Sequence, residues 1–140
     1  MSYIFVYRIC ALVPILTAMQ LLGTIQAGFA SPAEEDAADI ISLEEFLLRD
    51  KEASYMLRVR GDSMKDAGIL DGDLVVFERT QACRPGDIVV ALIEDGYTLK
   101  YLRQERGRFY LQAANSAYPV MYPKEGQILG VVTGSMRSYM

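Results

Sequence analysis

From about Ile40 to the C-terminus, short apolar runs alternate with turns rich in Gly, Pro and Asp. Runs of β-forming residues bounded by such turns indicate β-strands. The predicted strands are Tyr55–Arg60, Leu74–Phe77, Ile88–Ile93, Tyr97–Arg103, Phe109–Gln112 and Ile128–Val132. Asp95-Gly96 is a two-residue hairpin signal between the third and fourth strands. The pattern therefore predicts a compact, mostly β domain.

One short helix is predicted at the start of this domain. Ser42 followed by Glu45 forms a capping box, in which each residue can bond to a free backbone N–H of the first turn. Leu43, Phe46 and Leu47 then give an apolar stripe at helical spacing. The helix is expected to be short because the stripe ends there.

The residues before this helix have a different composition. Residues 1–27 are largely apolar and carry one charge, Arg8, whereas residues 31–39 are small and acidic, as is typical of a flexible connector. We therefore predict an extended N-terminal arm with its connector at residues 1–41. The β-rich domain follows at residues 42–140.

The apolar arm has more than one interpretation. One basic residue followed by an apolar run to Leu22 is typical of a signal peptide or membrane anchor. A signal-peptidase cut after Ala30 would place small residues at both required positions, whereas a cut after Ala27 would place Ile25 at one of them. The alternative is an arm that packs on its own β domain or on a second subunit. Translation from Met19 would delete most of the run.

Composition narrows the possible chemistry. The chain has no histidine, which excludes Ser-His-Asp and Cys-His catalytic sites and His-ligated zinc. Its net charge of −4 does not favour direct, sequence-specific DNA binding. The two cysteines form no CxxC motif, which fits reduced thiols and a cytoplasmic location. No metal or cofactor is predicted.

Ser63 and Lys100 are the candidate catalytic residues. Ser63 lies in a Gly- and Asp-rich segment between two predicted strands, and such a segment is by itself typical of a plain β-connection. Strand alternation places Lys100 on one face with Thr98 and Leu102, and a strand lysine is usually solvated. Taken together, the two residues indicate a catalytic site, because some serine hydrolases use a Ser-Lys dyad that needs no histidine.

Such a lysine must lose its charge to act as a base. The reference pKa of lysine is ~10.4, so an unperturbed side chain is protonated at neutral pH. Burial beside apolar groups lowers that pKa. Leu99, Tyr101 and Leu102 on the strand, together with Met64 beside the serine, are expected to supply this environment.

Several segments together resemble the LexA/UmuD self-cleaving Ser-Lys protease family. Gly61–Met64 and Asp66–Leu74 resemble its nucleophile box, and Thr98–Leu102 resembles the box that holds its lysine. Further matching segments are Gly86–Ala91, Asn115–Tyr118 and Gly130–Val132. The resemblance covers about residues 28–135. It implies the compact C-terminal-type β domain of that family.

The resemblance also implies the substrate and the roles at the site. Residues 27–33 are similar to the family's cleavage segment, which implies that the cut bond is Ala27–Gly28; Ala30 departs from the proline usual there. Ser63 would be the nucleophile and Lys100 its base. The backbone N–H groups of Ser63 and Met64 would hold the oxyanion. Only 27 residues precede the cut, so we expect no helix-turn-helix domain and no repressor.

The biological role follows from the resemblance alone. It implies a homodimer that cleaves itself on a RecA–single-stranded-DNA filament in the SOS DNA-damage response. The processed form would then assist a UmuC-like Y-family polymerase in translesion synthesis. Two alternatives stay open: a membrane-anchored protease like type I signal peptidase, and a non-cleaving module that regulates a polymerase.

Overall fold

The computed structural model of the chain describes residues 7–8, 18–21, 27–28, 39–94 and 96–140. It contains two antiparallel sheets and one short α-helix, with strands numbered in chain order. The elements are β1 (Tyr7–Arg8), β2 (Ala18–Leu21), β3 (Asp39–Ser42), α1 (Leu43–Leu47), β4 (Ser54–Arg58), β5 (Leu74–Arg79), β6 (Ile88–Ile93), β7 (Gly96–Glu105), β8 (Arg108–Gln112) and β9 (Gly126–Met136).

The larger sheet has seven strands in the order β1-β4-β5-β9-β6-β7-β8. All neighbours in it are antiparallel, and the smaller sheet pairs β2 with β3. The mostly β fold class and all six predicted strands are confirmed. The last strand, β9, is longer than predicted and lies at the centre, where it joins β4 and β5 to β6, β7 and β8.

The predicted helix is also confirmed. Helix α1 begins after Ser42, whose hydroxyl oxygen accepts a hydrogen bond from the Glu45 N–H. The helix packs on β9: a Cβ at Gly134 would lie 2.8 Å from Leu47 Cδ2, and the Thr133 hydroxyl donates to the Leu47 carbonyl at 3.2 Å. Thr133 is the extra residue of a β-bulge in β9. The bulge therefore supplies the contact that holds α1.

The predicted hairpin forms one residue earlier than expected. Ile93 pairs with Gly96, so residues 94 and 95 make the loop, and Gly96 already belongs to β7. Glu94 has a positive φ of 52°. Asp95 itself lies outside the described residues.

Three strands fall in or beside the segment predicted as arm and connector. β1 pairs with β4 through Tyr7–Met56 and Arg8–Tyr55, so two residues of the apolar segment extend the sheet of the β domain. β2 pairs with β3, which spans the predicted boundary between residues 41 and 42. That boundary stays a prediction, and most of residues 1–38 lie outside the described part. In the described ranges, no helix is long and apolar enough to cross a membrane.

Two apolar clusters form the core. The first contains Val89, Ala91, Leu102, Leu111 and Val131. The second contains Met64, Ile69, Val75 and Ala114, with partly buried neighbours that include Leu57, Leu99 and Tyr101. The connection between β4 and β5, which carries Ser63, thus contributes Met64 and Ile69 to the core, and this fixes it against the sheet.

Candidate active site

Ser63 lies in the connection between β4 and β5, which is held by backbone contacts at both ends. Gly61 has φ +90°, a left-handed conformation that a residue with a Cβ rarely adopts, and its N–H donates to Asp71 Oδ1 at 2.7 Å. The Gly72 N–H donates to the Val59 carbonyl at 2.8 Å. Met64, only 2% exposed, anchors the segment in the second cluster. Ser63 is therefore held on an ordered turn and is half-buried.

An ion pair near the C-terminus stabilises the far end of this connection. The Asp73 carboxylate is buried and accepts from Arg137 Nε and Nη2, each at 2.7 Å. Arg137 also donates to the Gly68 carbonyl at 3.0 Å, and Asp73 accepts from the Leu70 N–H at 2.8 Å. The hydrogen bonds from Arg137 and Leu70 lower the pKa of Asp73 to about 2.

Lys100 reaches Ser63 from the middle of β7. Its Nζ lies 3.1 Å from Ser63 Oγ, 2.9 Å from Thr98 Oγ1 and 3.1 Å from the Leu99 carbonyl oxygen. The Thr98 contact agrees with the predicted strand alternation, which places both side chains on one face. Two residues 37 positions apart in the chain are thus brought to hydrogen-bonding distance.

Burial lowers the pKa of Lys100. Lys100 is 7% exposed. Within the described part of the chain, no carboxylate forms an ion pair with it. Removal from water disfavours the ammonium form, and no ion pair within the described residues offsets this effect. Of the apolar residues predicted to surround it, Met64, Leu99 and Tyr101 belong to the second cluster, whereas Leu102 belongs to the first.

The backbone N–H groups around Ser63 differ in whether they have an acceptor. Neighbouring N–H groups have acceptors, since Lys65 donates to the Asp62 carbonyl and Asp66 donates to the Ala114 carbonyl. The N–H groups of Ser63 and Met64 have no acceptor among the described residues. Unpaired donors beside a nucleophile are suited to bind a negatively charged oxygen.

The segment after β8 contacts the residue that precedes Ser63. Asn115 Nδ2 donates to the Asp62 carbonyl at 3.0 Å, and the Tyr118 hydroxyl donates to Asp62 Oδ1 at 2.6 Å. This hydrogen bond to a carboxylate raises the pKa of Tyr118. Two residues of this distant segment therefore fix the turn that carries Ser63.

A cleft of about 210 Å³ opens beside Ser63. One wall is the end of β4 and the residues after it, and the other is the start of β7. The lining residues are Leu57, Arg58, Val59, Arg60, Ser63, Met64, Val90, Tyr97, Thr98 and Leu99. The mixed apolar and polar lining suits an extended peptide. In the described ranges, no group of three or more Cys, Asp or Glu side chains could hold a metal.

The proposed cleavage bond is not seen in this cleft. Ala27 and Gly28 are exposed and form a bend, and both flanking segments lie outside the described residues. Among the described residues no hydrogen bond joins them to Ser63 or Lys100. The structure therefore brings together the predicted serine and lysine but not the predicted bond.

Sequence reasoning did not assign roles to three residues at the site. The contact of Thr98 with Lys100 was predictable, since Thr98 lies two positions before Lys100 on the same strand face. Asn115 and Tyr118 were part of a matching segment, but their contacts span 53 and 56 residues of sequence. No local pattern could have paired them with Asp62.

Comparison of the sequence with known proteins identifies a protease family. The model of the Peptidase S24-like family matches residues 20–133. A LexA repressor of Pelotomaculum thermopropionicum is 46% identical over 117 residues, covering 84% of this chain and 57% of the relative. A LexA repressor of Clostridium kluyveri is 41% identical over 119 residues, covering 85% and 59%.

A shorter relative matches an equal share of both chains. Protein SamA of Salmonella typhimurium is 41% identical over 107 residues, which is 76% of this chain and 76% of SamA. By contrast, the chain spans less than three fifths of the length of the two LexA repressors. The family resemblance predicted from the boxes around Ser63 and Lys100 is thus confirmed. The chain belongs to the Peptidase S24-like family, the family of LexA and UmuD.

Proposed function

We propose that this protein is a serine protease that cleaves its own Ala27–Gly28 bond, with Ser63 as nucleophile and Lys100 as base. The observation that carries the proposal is the 3.1 Å contact between Lys100 Nζ and Ser63 Oγ, made by a buried lysine. A neutral amine at this distance can accept the serine proton. Membership of the Peptidase S24-like family supports this assignment.

The reaction has two stages. Neutral Lys100 takes the Ser63 proton while Oγ attacks the Ala27 carbonyl carbon. The resulting ammonium then protonates the Gly28 nitrogen, and the C–N bond breaks to leave an acyl-enzyme. In the second stage Lys100 takes a proton from water, the hydroxide attacks the ester, and the proton returns to Ser63. The lysine acts alternately as base and acid.

The oxyanion formed at each stage needs donors. We assign this role to the N–H groups of Ser63 and Met64, since both lack acceptors among the described residues. The small side chains at the cut support the substrate assignment. Ala27 and Gly28 let an extended segment approach a shallow cleft closely, and both are exposed.

We further propose a role in the SOS response, with a RecA–single-stranded-DNA filament as activator of the homodimer. The processed form would then act as an accessory subunit of a UmuC-like Y-family polymerase. The 41% identity to SamA over 107 residues supports a UmuD-like role. The net charge of −4 also argues against direct DNA binding.

Site-directed variants test the dyad. Purified protein incubated at alkaline pH should shorten, because deprotonated Lys100 is the active form. Ser63→Ala and Lys100→Ala should each abolish this while their circular dichroism spectra stay unchanged. Lys65→Ala is the matched control, since Lys65 is an exposed lysine two residues from Ser63. Lys100→Ala protein that shortens at the rate of the wild type would remove the lysine from the mechanism.

A further inference from the structure

We propose that Asn115 and Tyr118 are positioning residues that fix the direction of the Ser63 N–H, one of the two donors assigned to the oxyanion. The inference rests on the proposed function and extends it to residues outside the dyad. It follows from the contacts that Asp62 makes. The Asp62 carbonyl and the Ser63 N–H belong to one peptide unit, so whatever holds the carbonyl also sets the N–H.

The geometry of the peptide unit transmits the effect. A trans peptide is planar, and its C=O and N–H point in opposite directions. No cis peptide bond occurs in the described residues. Asn115 Nδ2 and the Lys65 N–H donate to the Asp62 carbonyl at 3.0 and 3.2 Å. These two bonds direct the carbonyl toward Asn115 and Lys65, and therefore direct the Ser63 N–H to the opposite side.

The same bonds leave the Ser63 N–H better able to donate. A carbonyl that accepts hydrogen bonds polarises its peptide unit and strengthens the N–H of that unit as a donor. The Ser63 N–H has no acceptor of its own among the described residues. Asn115 therefore acts on the oxyanion through one peptide, without touching it.

Asn115 is itself locked in place. The residue is 6% exposed, its Oδ1 accepts from the Ala117 N–H at 3.0 Å, and its carbonyl accepts from the Tyr118 N–H at 3.1 Å. Both ends of the side-chain amide are used, so the amide cannot rotate without losing a bond. The neighbouring backbone is also joined to the turn, because the Ala114 carbonyl accepts from Asp66 at 2.8 Å.

Tyr118 holds Asp62 through the Asp62 side chain. Its hydroxyl lies 2.6 Å from Asp62 Oδ1, the short distance expected of a hydrogen bond to a carboxylate. Asn115 fixes the Asp62 backbone and Tyr118 fixes its side chain, so Asp62 is held at two points. Because Tyr118 is 42% exposed, its contribution should be the smaller one.

The test is the pH–rate profile of self-cleavage by the purified full-length protein. Asn115→Ala removes the donor without adding a charge near Lys100, and should lower the alkaline plateau rate by about 10- to 100-fold. The loss stays below that of a deleted oxyanion donor because the Lys65 N–H still holds the carbonyl. The midpoint of the profile should not move, since Lys100 Nζ bonds to Ser63, Thr98 and Leu99.

Two further variants make the test decisive. Tyr118→Phe keeps the ring and should lower the plateau by about 2- to 5-fold. Ser116→Ala, an exposed residue of the same turn, should match the wild type. A wild-type plateau for Asn115→Ala, or a plateau loss accompanied by a shifted midpoint, would overturn the proposal. If Asn115→Ala does not fold, a wild-type plateau for Tyr118→Phe overturns it instead.

The same series separates this inference from the proposed function. Ser63→Ala protein that still cleaves would count against the proposed function itself. Inert Ser63→Ala together with fully active Asn115→Ala would count only against the positioning role.

Discussion

Thr98→Val should make self-cleavage faster at neutral pH. The Thr98 hydroxyl is one of three oxygens that accept from Lys100 Nζ, at 2.9 Å, and valine keeps the β-branched shape without that oxygen. A hydrogen bond to a charged group contributes about 1.5–3 kcal/mol, against about 0.5–1.5 kcal/mol between neutral groups. The variant therefore destabilises the ammonium more than the neutral amine, and the pKa of Lys100 falls further.

The size of the effect follows from that difference. The ammonium form loses about 1–1.5 kcal/mol more stabilisation than the neutral amine. A difference of about 1.36 kcal/mol changes the protonation equilibrium of Lys100 tenfold. Where the ammonium predominates, the neutral fraction should rise about 5- to 10-fold, and the cleavage rate with it. Thr98 is half-buried, so water that replaces the hydroxyl would reduce this figure.

The assay is the rate of shortening of purified protein between neutral and strongly alkaline pH. The active form is the neutral amine, so a lower pKa moves the rising limb of the profile to lower pH and leaves the alkaline plateau unchanged. Thr98→Ser keeps the hydroxyl and should follow the wild type. A Thr98→Val protein that is slower at neutral pH, with an unmoved profile, would refute the reasoning about Lys100.

Three more predictions concern the fold and the product. Gly130→Ala should lower the free energy of unfolding by about 1–3 kcal/mol in urea titrations, because its Cβ would clash with the Glu78 carbonyl oxygen. Arg137→Ala should lower Tm at pH 7, and the difference should shrink as pH falls from about 4 toward 2, because Asp73 has a lowered pKa and its contribution is lost on protonation. Uncut Ser63→Ala and the cleaved product should both be dimers, yet bind a Y-family polymerase with different affinity in calorimetry.

The two substitutions have matched control variants, and contradicting results are defined for Arg137→Ala and for polymerase binding. Gly126→Ala lies in the same strand with its nearest contact at 3.5 Å, and should cost less than Gly130→Ala. Arg106→Ala removes an exposed arginine and should leave Tm nearly unchanged at every pH. If the Tm difference between the wild type and Arg137→Ala stays constant from pH 7 to pH 2, ionised Asp73 is not stabilised by Arg137. Equal polymerase affinity of the cut and uncut forms would refute the prediction that cleavage changes polymerase binding.

The sequence was most informative where chemistry and local pattern coincide. The turn residues around Ser63 predicted a turn, and the alternation around Lys100 predicted a strand. The absence of histidine and the family resemblance then paired the two residues, and Lys100 Nζ lies 3.1 Å from Ser63 Oγ. The six strands of the β domain were predictable because each lies between Gly-, Pro- or Asp-containing turns. Ser42 and Glu45 likewise marked the start of α1.

The remaining features depend on long-range pairing that no local pattern encodes. β1 and β2 lie in the apolar segment predicted as an arm, and their pairing with β4 and β3 joins distant parts of the chain. β9 extends to Met136 despite Gly134, because pairing with β5 outweighs the weak strand preference of glycine. The Asn115 and Tyr118 contacts to Asp62 are of the same long-range kind.

The most direct test of the account is the N-terminus of the shortened protein. Purified full-length protein and Ser63→Ala protein are incubated side by side at alkaline pH, and the products are analysed by intact mass spectrometry and N-terminal sequencing. The account predicts one product beginning at Gly28 from the wild type and none from Ser63→Ala. A product beginning at Ser31 or any other residue, or the Gly28 product from Ser63→Ala, would contradict it.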